Sequence, residues 1–252
     1  MQNSIYQEML DRKARGQKSF ILLIDPDKFD EQIGHTLHQQ NAFAQADFLF
    51  VGGSLINGSN INGTILQIKS YTDKPVIIFP GSNMHIDLAA DGILFLSLIS
   101  GRNPEFLIGQ HIVAAPFLKR SRLEVLATGY MLIEGGQATT VSYISNTSPI
   151  PHDKPEVAAC TAIAGEMLGL KLIYADAGSG AQKSISKKMI HSLRKAIDIP
   201  LIIGGGIRTA AKAQEILEAG ADTIVVGNAA EKDPSLISQI GKVVAKLNNR
   251  SA

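Results

Sequence analysis

The sequence has one cysteine and no tryptophan in 252 residues. A lone cysteine, Cys160, excludes an internal disulfide and indicates a reducing compartment. No apolar run reaches the roughly 20 residues of a membrane-spanning helix, and the N-terminus lacks the pattern of a signal peptide. Lys and Arg total 24 against 23 Asp and Glu, without a basic block, so nucleic acid is not expected as a partner. We therefore expect a cytoplasmic enzyme.

Short runs of Ile, Val, Leu and Phe alternate with helical segments along the chain. Such runs are typical of parallel strands that are buried on both faces. The length of 252 residues is usual for a barrel of eight strand–helix units. We predict one domain over residues 1–252, of the α/β class, with a (β/α)₈ TIM-barrel fold. Seven of its strands are expected at residues 19–25, 47–54, 75–80, 92–98, 171–177, 200–204 and 222–227.

Several expectations concern the segments around the strands. An amphipathic helix over residues 3–15 should plug or flank the barrel. Residues 81–91 are too few for an outer helix with two loops, so the third outer helix is predicted to be degenerate and to leave a gap. The fifth unit is typical of a hairpin, with strands at 128–134 and 139–145 and a turn at Gly135-Gly136. Cys160 is expected to be a small buried residue on a helix over 154–168.

Glycine-rich corners follow the last two strands. Gly204, Gly205 and Gly206 lead into a helix capped by Thr209, and Gly227-Asn228 leads into Asp233-Pro234. Glycine lets backbone N–H groups approach a ligand closely, and a helix N-terminus adds partial positive charge. Two such corners in tandem predict the phosphate site that closes many (β/α)₈ barrels after strands 7 and 8.

Carboxylates stand at the C-terminal ends of other strands, where a parallel barrel builds its active face. Asp25 and Asp27 follow the first strand, Ser54 the second, and Tyr174 and Asp176 end the sixth. Carboxylate and hydroxyl oxygens suit Mg²⁺, which could hold a second phosphate group over strands 1 and 2. Each residue also has a structural interpretation: Asp25 and Ser54 are typical turn caps, and Tyr174 is a typical packed aromatic.

Six segments, taken in order, resemble the geranylgeranylglyceryl phosphate synthase family. The resemblance runs from about residue 18 to 247, and its most specific part joins the fourth and fifth segments. The long middle segment around Gly-Tyr-Met-Leu-Ile-Glu is similar to the larger of the family's two groups. The six segments are Leu-Ile-Asp25-Pro-Asp-Lys, Val-Gly-Gly-Ser54, Asn-Thr-Ser-Pro-Ile-Pro151, Tyr174-Ala-Asp-Ala-Gly-Ser-Gly180, Gly-Gly-Gly-Ile-Arg208 and Val-Gly-Asn228.

The resemblance implies a prenyltransferase that joins sn-glycerol 1-phosphate to a prenyl diphosphate, with geranylgeranyl diphosphate as the expected donor, and forms an ether-lipid precursor. It implies that Asp25 and Ser54 bind Mg²⁺, and that Asp176 orients or deprotonates the glycerol hydroxyl. The family usually has Glu at position 176 and Leu at 175. It also implies a homo-oligomer, a hexamer or a dimer. The residues implied to bind glycerol phosphate are Tyr174, Ala175, Asp176, Ala177, Gly178, Ser179, Gly180, Gly205, Gly206, Gly227 and Asn228.

Two other functions remain open from the residues alone. Many barrels with this phosphate site are isomerases or lyases of sugar phosphates, although those usually need a Lys or His on an inner strand. A non-catalytic protein that binds a phosphorylated metabolite is the second alternative. For the prenyltransferase, an apolar trough for the tail is expected beside the gap in the outer ring. Its candidate lining is Ile78, Phe79, Phe95, Leu96 and Leu98.

Overall fold

Eight parallel strands close into a barrel in sequence order, as predicted. The computed structural model describes residues 4–58, 60–227, 229–230 and 233–250. Closure comes from the pairing of β1 with β8, in which Ser19 lies opposite Thr223. The strands are β1 Ser19–Ile24, β2 Phe48–Gly52, β3 Val76–Phe79, β4 Gly92–Leu98, β5 Glu124–Leu132, β6 Leu172–Asp176, β7 Leu201–Gly204 and β8 Thr223–Val226.

Helices surround the barrel except after β3. Residues 80–91, which join β3 to β4, contain no helix, so the predicted gap in the outer ring is confirmed. A 3₁₀ turn at Pro26–Lys28 follows β1, and a π-helical turn at Glu105–Gly109 precedes the fifth helix. The described helices are α1 Ile5–Ala14, α2 Glu31–Gln39, α3 Ala42–Gln45, α4 Ile61–Tyr71, α5 Gln110–Arg120, α6 Thr140–Ser145, α7 Pro155–Met167, α8 Lys187–Ala196, α9 Ala210–Glu218 and α10 Ser235–Asn248.

The strands are apolar on both faces because the barrel has two cores. Side chains alternate along a strand, so residues two apart share a face. On β6, Leu172 and Tyr174 point into the barrel, while Ile173 and Ala175 face the helices. Asp176 follows the inward series and stands at the C-terminal rim. The alternation thus places its carboxylate where a barrel carries its chemistry.

Helix α1 plugs the N-terminal end of the barrel. Its Ile5 and Met9 pack against the inward side chains of the strands. The carboxylate of Glu124, the first residue of β5, accepts hydrogen bonds from the Ile5 N–H (2.6 Å), the Tyr6 N–H (2.9 Å) and the Ser4 hydroxyl (2.7 Å). An acidic group at a helix N-terminus satisfies donors that lack a partner within the helix. These contacts fix the helix across the end opposite to the candidate site.

Aspartates repeat at the starts of three strands. The sequence fragments around Asp47 and Asp222 predict one helix-to-strand corner used twice. In the structure Asp47 accepts from the Phe20 N–H (2.9 Å) and Asp222 from the Leu201 N–H (2.8 Å), which confirms the repeat. Asp91 forms a third copy with Val76 N–H (2.8 Å). Each aspartate ties the start of its strand to the start of the preceding strand, at the N-terminal end of the barrel.

The predicted hairpin is wrong. One long strand, β5, covers 124–132, and residues 140–145 form α6. The Thr139 side chain caps α6 in a reciprocal pair with Ser142, which outweighs the β-branched composition of this segment. The Gly135 carbonyl accepts from the N–H groups of Gln182 and Lys183, so the glycine pair ties the chain to the loop after β6 instead of turning back.

The expectation for Cys160 is also wrong. It lies on α7 as predicted, but its side chain is exposed. Helix α7 carries alanine and glycine on its buried side, where Ala158, Ala162 and Gly165 pack against the barrel. The run Ala-Ala-Cys-Thr-Ala is small throughout, and its composition therefore does not indicate which face turns inward.

Candidate active site

A cleft of about 840 Å³ opens at the C-terminal ends of the strands. It collects residues from the loops after β1, β2, β6, β7 and β8, which lie far apart in the sequence. The structure therefore brings together most of the residues predicted for the site, while Asn228 lies outside the described residues. The predicted residues that line the cleft are Asp25, Ser54, Tyr174, Asp176, Gly178, Ser179, Gly180, Gly205, Gly206 and Gly227.

Ala175 and Ala177 do not line the cleft. Both are buried in the outer core between the barrel and the helices. The Ala177 N–H donates to the Gly204 carbonyl at 3.1 Å and so continues the hydrogen bonding between the ends of β6 and β7. Their place in the sequence segment is therefore explained by packing in the outer core.

The glycines after β6 and β7 adopt backbone conformations that disfavour other residues. Gly178, Gly180, Gly205 and Gly206 all have φ between +69° and +89°. A Cβ atom at Gly205 would lie 2.7 Å from Asp176 Oδ1 and 2.8 Å from the Gly178 nitrogen. The loops after β6 and β7 therefore touch backbone to backbone. Such a glycine-lined concavity lets main-chain groups reach an anion.

Arg208 joins these loops from the other side. Its guanidinium donates to the carbonyls of Gly180 (3.3 Å) and Ala181 (2.8 Å). Directly after it, Thr209 caps α9 by accepting from the Lys212 N–H. The arginine adds positive charge at the rim of the cleft and fixes the loop after β6 against the start of α9. Both effects favour a bound phosphate.

Asp176 is a buried carboxylate with both oxygens engaged. Oδ2 accepts from the Tyr130 hydroxyl at 2.7 Å, and Oδ1 accepts from the Gly178 N–H at 2.8 Å. Burial raises the pKa of Asp176 above the ordinary value, and the two hydrogen bonds oppose that rise because they favour the charged form. A carboxylate with a raised pKa and lone pairs facing a cleft can accept a proton from a substrate hydroxyl.

Tyr174 belongs to both the core and the cleft wall. Its ring is fully buried and packs on Tyr130, with ring centroids 5.4 Å apart, and on Phe79 at 5.8 Å. A Cβ atom at Gly204 would lie 2.5 Å from its hydroxyl oxygen. The glycine at the end of β7 therefore makes room for the tyrosine, and the packed-aromatic interpretation of Tyr174 describes much of its role.

Asp25 and Asp27 organise the loops over β1 and β2. Asp25 caps the 3₁₀ turn by accepting from the Asp27 N–H (3.1 Å) and forms an ion pair with Lys28 (2.9 Å). Asp27 accepts from the Asn57 N–H at 2.8 Å and so joins the two loops. The structural role expected for Asp25 is thus present, and its carboxylate also lines the cleft together with Ser54.

These oxygens suit a metal that arrives with its substrate. Within the described residues there is no group of three or more His, Cys, Asp or Glu side chains placed to hold a metal ion. Mg²⁺ does not require one, because it commonly binds one or two protein oxygens and completes its shell with water and phosphate. Asp25 and Ser54, on neighbouring strand ends, fit that kind of site.

An apolar cavity of about 110 Å³ adjoins the cleft. It lies beside β4, α5 and α6, next to the segment where the outer helix is missing. Of the five residues expected to line an apolar trough, Ile78 faces the outer core, and the four that line this cavity are Phe79, Phe95, Leu96 and Leu98. Ser54 and Phe79 line both the cavity and the cleft, so the apolar and polar spaces meet beside the candidate metal ligands.

Tyr130 and Arg208 are two residues at the site that are not among those predicted from the sequence. Tyr130 sits on β5 two residues after Thr128, on the inward face. The motif Gly-Tyr-Met lies on a strand whose side chains alternate between the two faces, but the predicted hairpin gives no reason to place Tyr130 inside the barrel. Arg208 stands in the motif Gly-Gly-Gly-Ile-Arg, and its charge beside a phosphate corner was a usable signal.

The fold and the cleft define a (β/α)₈ barrel with a glycine-rich corner, a buried carboxylate and an adjoining apolar cavity. The model of the PcrB family matches residues 12–245, and the chain belongs to this family. It is 56% identical over 238 residues to the geranylgeranylglyceryl phosphate synthase of Spirosoma linguale, covering 94% of this chain and 96% of that one. The synthase of Chitinophaga pinensis is 52% identical over 244 residues, with 97% of each covered.

A solved structure gives the same result. The geranylgeranylglyceryl phosphate synthase of Thermoplasma acidophilum, in complex with sn-glycerol-1-phosphate, superposes with a TM-score of 0.89 at 33% identity. The match covers 98% of this chain and 99% of that one. The protein is therefore an enzyme of the geranylgeranylglyceryl phosphate synthase type, a prenyltransferase. None of the described helices combines the length and the apolar character that a membrane-spanning helix requires.

Proposed function

We propose that this enzyme transfers a prenyl group, geranylgeranyl, from its diphosphate to the C3 hydroxyl of sn-glycerol 1-phosphate. The observation that carries the proposal is the junction of two unlike spaces at Ser54 and Phe79. A glycine-lined polar cleft suits a small phosphorylated alcohol, and an apolar cavity suits the start of an isoprenoid tail. The relatives reported above are named geranylgeranylglyceryl phosphate synthases, which supports this assignment.

The two substrates are assigned to the two spaces by charge and polarity. The phosphate of glycerol phosphate would bind the loops that carry Gly178 and Gly205, beside Arg208. Its glycerol hydroxyls would then lie back towards Asp176, which is two residues before Gly178. The prenyl tail would enter the cavity beside Phe95, with its diphosphate over β1 and β2.

Mg²⁺ is the expected cofactor, held by Asp25 and Ser54. When bound it neutralises charge on the leaving diphosphate. Asp176 accepts the proton of the glycerol C3 hydroxyl as that oxygen forms a bond to C1 of the prenyl group. The bond between C1 and the diphosphate oxygen breaks, and its electron pair leaves with the diphosphate. The apolar walls of the cavity keep water from C1, so the alcohol is the nucleophile.

The decisive experiment supplies purified protein with sn-glycerol 1-phosphate and prenyl diphosphates of several lengths, with Mg²⁺ or with chelator. Mass spectrometry should show an ether product with glycerol 1-phosphate and Mg²⁺, and little or none with sn-glycerol 3-phosphate. Tight binding of glycerol phosphate without any ether product would instead favour the non-catalytic alternative. Sugar-phosphate isomerases and lyases of this barrel type usually use a Lys or His, and the described cleft residues include Lys28 and Arg208 but no histidine.

We also propose that the enzyme is a cytoplasmic homo-oligomer, a dimer or a hexamer. Exposed apolar side chains on the π-helical turn and α5 support an interface, because Ile108, Ile112, Val113 and Phe117 are each more than 40% exposed. Cys160 is exposed, and an exposed thiol stays unpaired in a compartment that keeps thiols reduced, which supports the cytoplasm. Light scattering of the purified chain measures the mass of the assembly. A monomer would refute the oligomer proposal.

A further inference from the structure

Tyr130 stands in the partition between the cleft and the apolar cavity. Its ring lines the cavity, and its hydroxyl contacts Asp176, which lines the cleft. It lies on β5 directly opposite Tyr174 of β6, and only 5% of its surface is exposed. The ring packs edge-on against Phe79 at 6.0 Å and against Tyr174 at 5.4 Å. The phenol is therefore held in one orientation by aromatic contacts on two sides.

The Tyr130 hydroxyl fixes the direction of the Asp176 carboxylate. Gly178 N–H holds one carboxylate oxygen, but that bond is local to the same loop. The Tyr130 bond of 2.7 Å comes from the neighbouring strand, 46 residues away in the sequence, and holds the other oxygen. A carboxylate anchored at both oxygens cannot rotate away from the cleft. The fixed orientation matters more for an aspartate than for a glutamate, because the aspartate side chain is one methylene shorter and reaches less far into the cleft.

The hydroxyl also opposes the effect of burial on Asp176. Burial favours the neutral carboxyl, and donated hydrogen bonds favour the carboxylate. Burial, and next the charge of Asp176, raises the pKa of Tyr130 well above the usual value, so the phenol stays a donor at working pH. Tyr174 is the other titratable group that faces Asp176, and β7 presents Gly204 and Gly205 there. The remaining charged side chains that line the cleft in the described residues are Asp25, Asp27, Lys28 and Arg208.

We propose that Tyr130 is a positioning residue of the transfer reaction: it orients the Asp176 carboxylate towards the alcohol and keeps it ionised. The inference rests on the proposed function, in which Asp176 accepts the proton of the C3 hydroxyl. Tyr130 touches neither that hydroxyl nor the glycine corner in this assignment. Its effect on turnover passes through Asp176.

The first test is Tyr130→Phe, which keeps the ring in the partition and removes only the hydroxyl. We expect kcat to fall about tenfold, while KM for the prenyl diphosphate stays within a factor of two. The acid limb of the kcat/KM profile should move up by about one pH unit, because Asp176 becomes harder to ionise. Tyr143→Phe is the matched control, since Tyr143 is 88% exposed on α6 and should change neither value.

A second substitution tests the same bond in the opposite direction and leaves packing almost unchanged. Replacing Tyr130 site-specifically with 3-fluorotyrosine gives a more acidic phenol, which is a stronger donor. The acid limb should then move to lower pH. A shift in the same direction as that of Tyr130→Phe would overturn the inference, because it would mean that disturbed packing, not hydrogen bonding, controls Asp176.

A double-mutant cycle shows whether Tyr130 acts through Asp176. In the Asp176→Asn background, Tyr130→Phe should change kcat by less than twofold, because the group it positions is gone. Independent tenfold losses in both backgrounds would refute the positioning role. The carboxyl resonance of Asp176 in protein labelled with [¹³C]aspartate, assigned with Asp176→Asn, gives a readout without turnover. If Tyr130→Phe raises its titration midpoint while the protein makes no ether product, the proposed function fails and the hydrogen-bond effect stands.

Discussion

Replacing Gly205 with alanine should separate its contact with the ligand from its backbone conformation. Gly205 has φ of +80°, and an added Cβ atom would meet Asp176 Oδ1 at 2.7 Å and the nitrogens of Ala177 and Gly178 at 2.8 Å. The methyl group must push the Asp176 carboxylate or the loop after β6 away. Both are parts of the cleft in which glycerol phosphate is proposed to bind.

Gly169 provides a matched control for the backbone term. It has φ of +85° at the end of α7, and a Cβ atom there would meet nothing within 4 Å. A left-handed conformation costs a non-glycine residue roughly 1–2 kcal/mol. In a chain of this size, each kcal/mol lowers Tm by about 2–4 °C. Gly169→Ala should therefore lose about 2–8 °C, and Gly205→Ala should lose at least as much.

The two variants should differ in kinetics. Hydrogen bonds from substrate hydroxyls to a charged acceptor contribute about 1.5–3 kcal/mol each, so a displaced Asp176 should slow turnover about 10- to 100-fold. For Gly205→Ala we expect that loss in kcat and a raised KM for glycerol phosphate, with a smaller change in KM for the prenyl diphosphate. Gly169→Ala should keep wild-type constants below its Tm. Equal kinetic constants in both variants would show that glycine is needed at position 205 only for its backbone conformation.

The remaining predictions concern the metal, the carboxylate and the tail. Asp25→Asn should keep the cap of the 3₁₀ turn and the Tm but lose Mg²⁺-dependent turnover. Asp25→Ala should lose that turnover and also lower Tm, since a lost cap costs about 1 kcal/mol. Full activity of either variant in the presence of chelator would refute the metal assignment. Asp176→Asn should cut kcat strongly while Asp176→Glu keeps most of it, and wild-type rates for Asp176→Asn would refute its role. Because burial raises the folded pKa of Asp176, its stability contribution is lost as pH rises through that value, so Asp176→Asn should raise Tm at pH 8 but not below pH 4. Ala114→Phe, which fills the apolar cavity, should raise KM for long prenyl diphosphates more than for short ones, as measured on a length series.

The barrel and most of the cleft could be predicted because parallel strands impose simple rules. A strand such as β2, apolar on both faces, indicates a sheet covered on both sides, and its C-terminal end then indicates the active face. Asp25, Ser54 and Asp176 follow from that rule without any knowledge of side-chain contacts. The glycines after β7 follow from the same rule, combined with the approach of backbone to ligand.

The rest depended on pairing between distant segments, which a single sequence does not show. Composition favours strand for residues 139–145, but the capping pair of Thr139 and Ser142 makes them a helix. Tyr130 acquires its contact with Asp176 only when β5 and β6 pair in one register, with Leu132 opposite Asp176. A shift of one residue would turn Tyr130 into the outer core, so its role depends on tertiary pairing.

The gap in the outer ring and the apolar cavity lie at the same place, because residues of the helix-free segment after β3 line the cavity. In a complete barrel, a helix after β3 would cover the outward side chains of β3 and β4. Here Phe95 of β4 instead packs edge-on against His111 of α5, with ring centroids 4.4 Å apart, and lines the cavity. Burial lowers the pKa of His111, which favours the neutral imidazole and keeps this part of the cavity wall uncharged. The apolar cavity that Tyr130 lines therefore lies on the side of the barrel where the outer helix is missing.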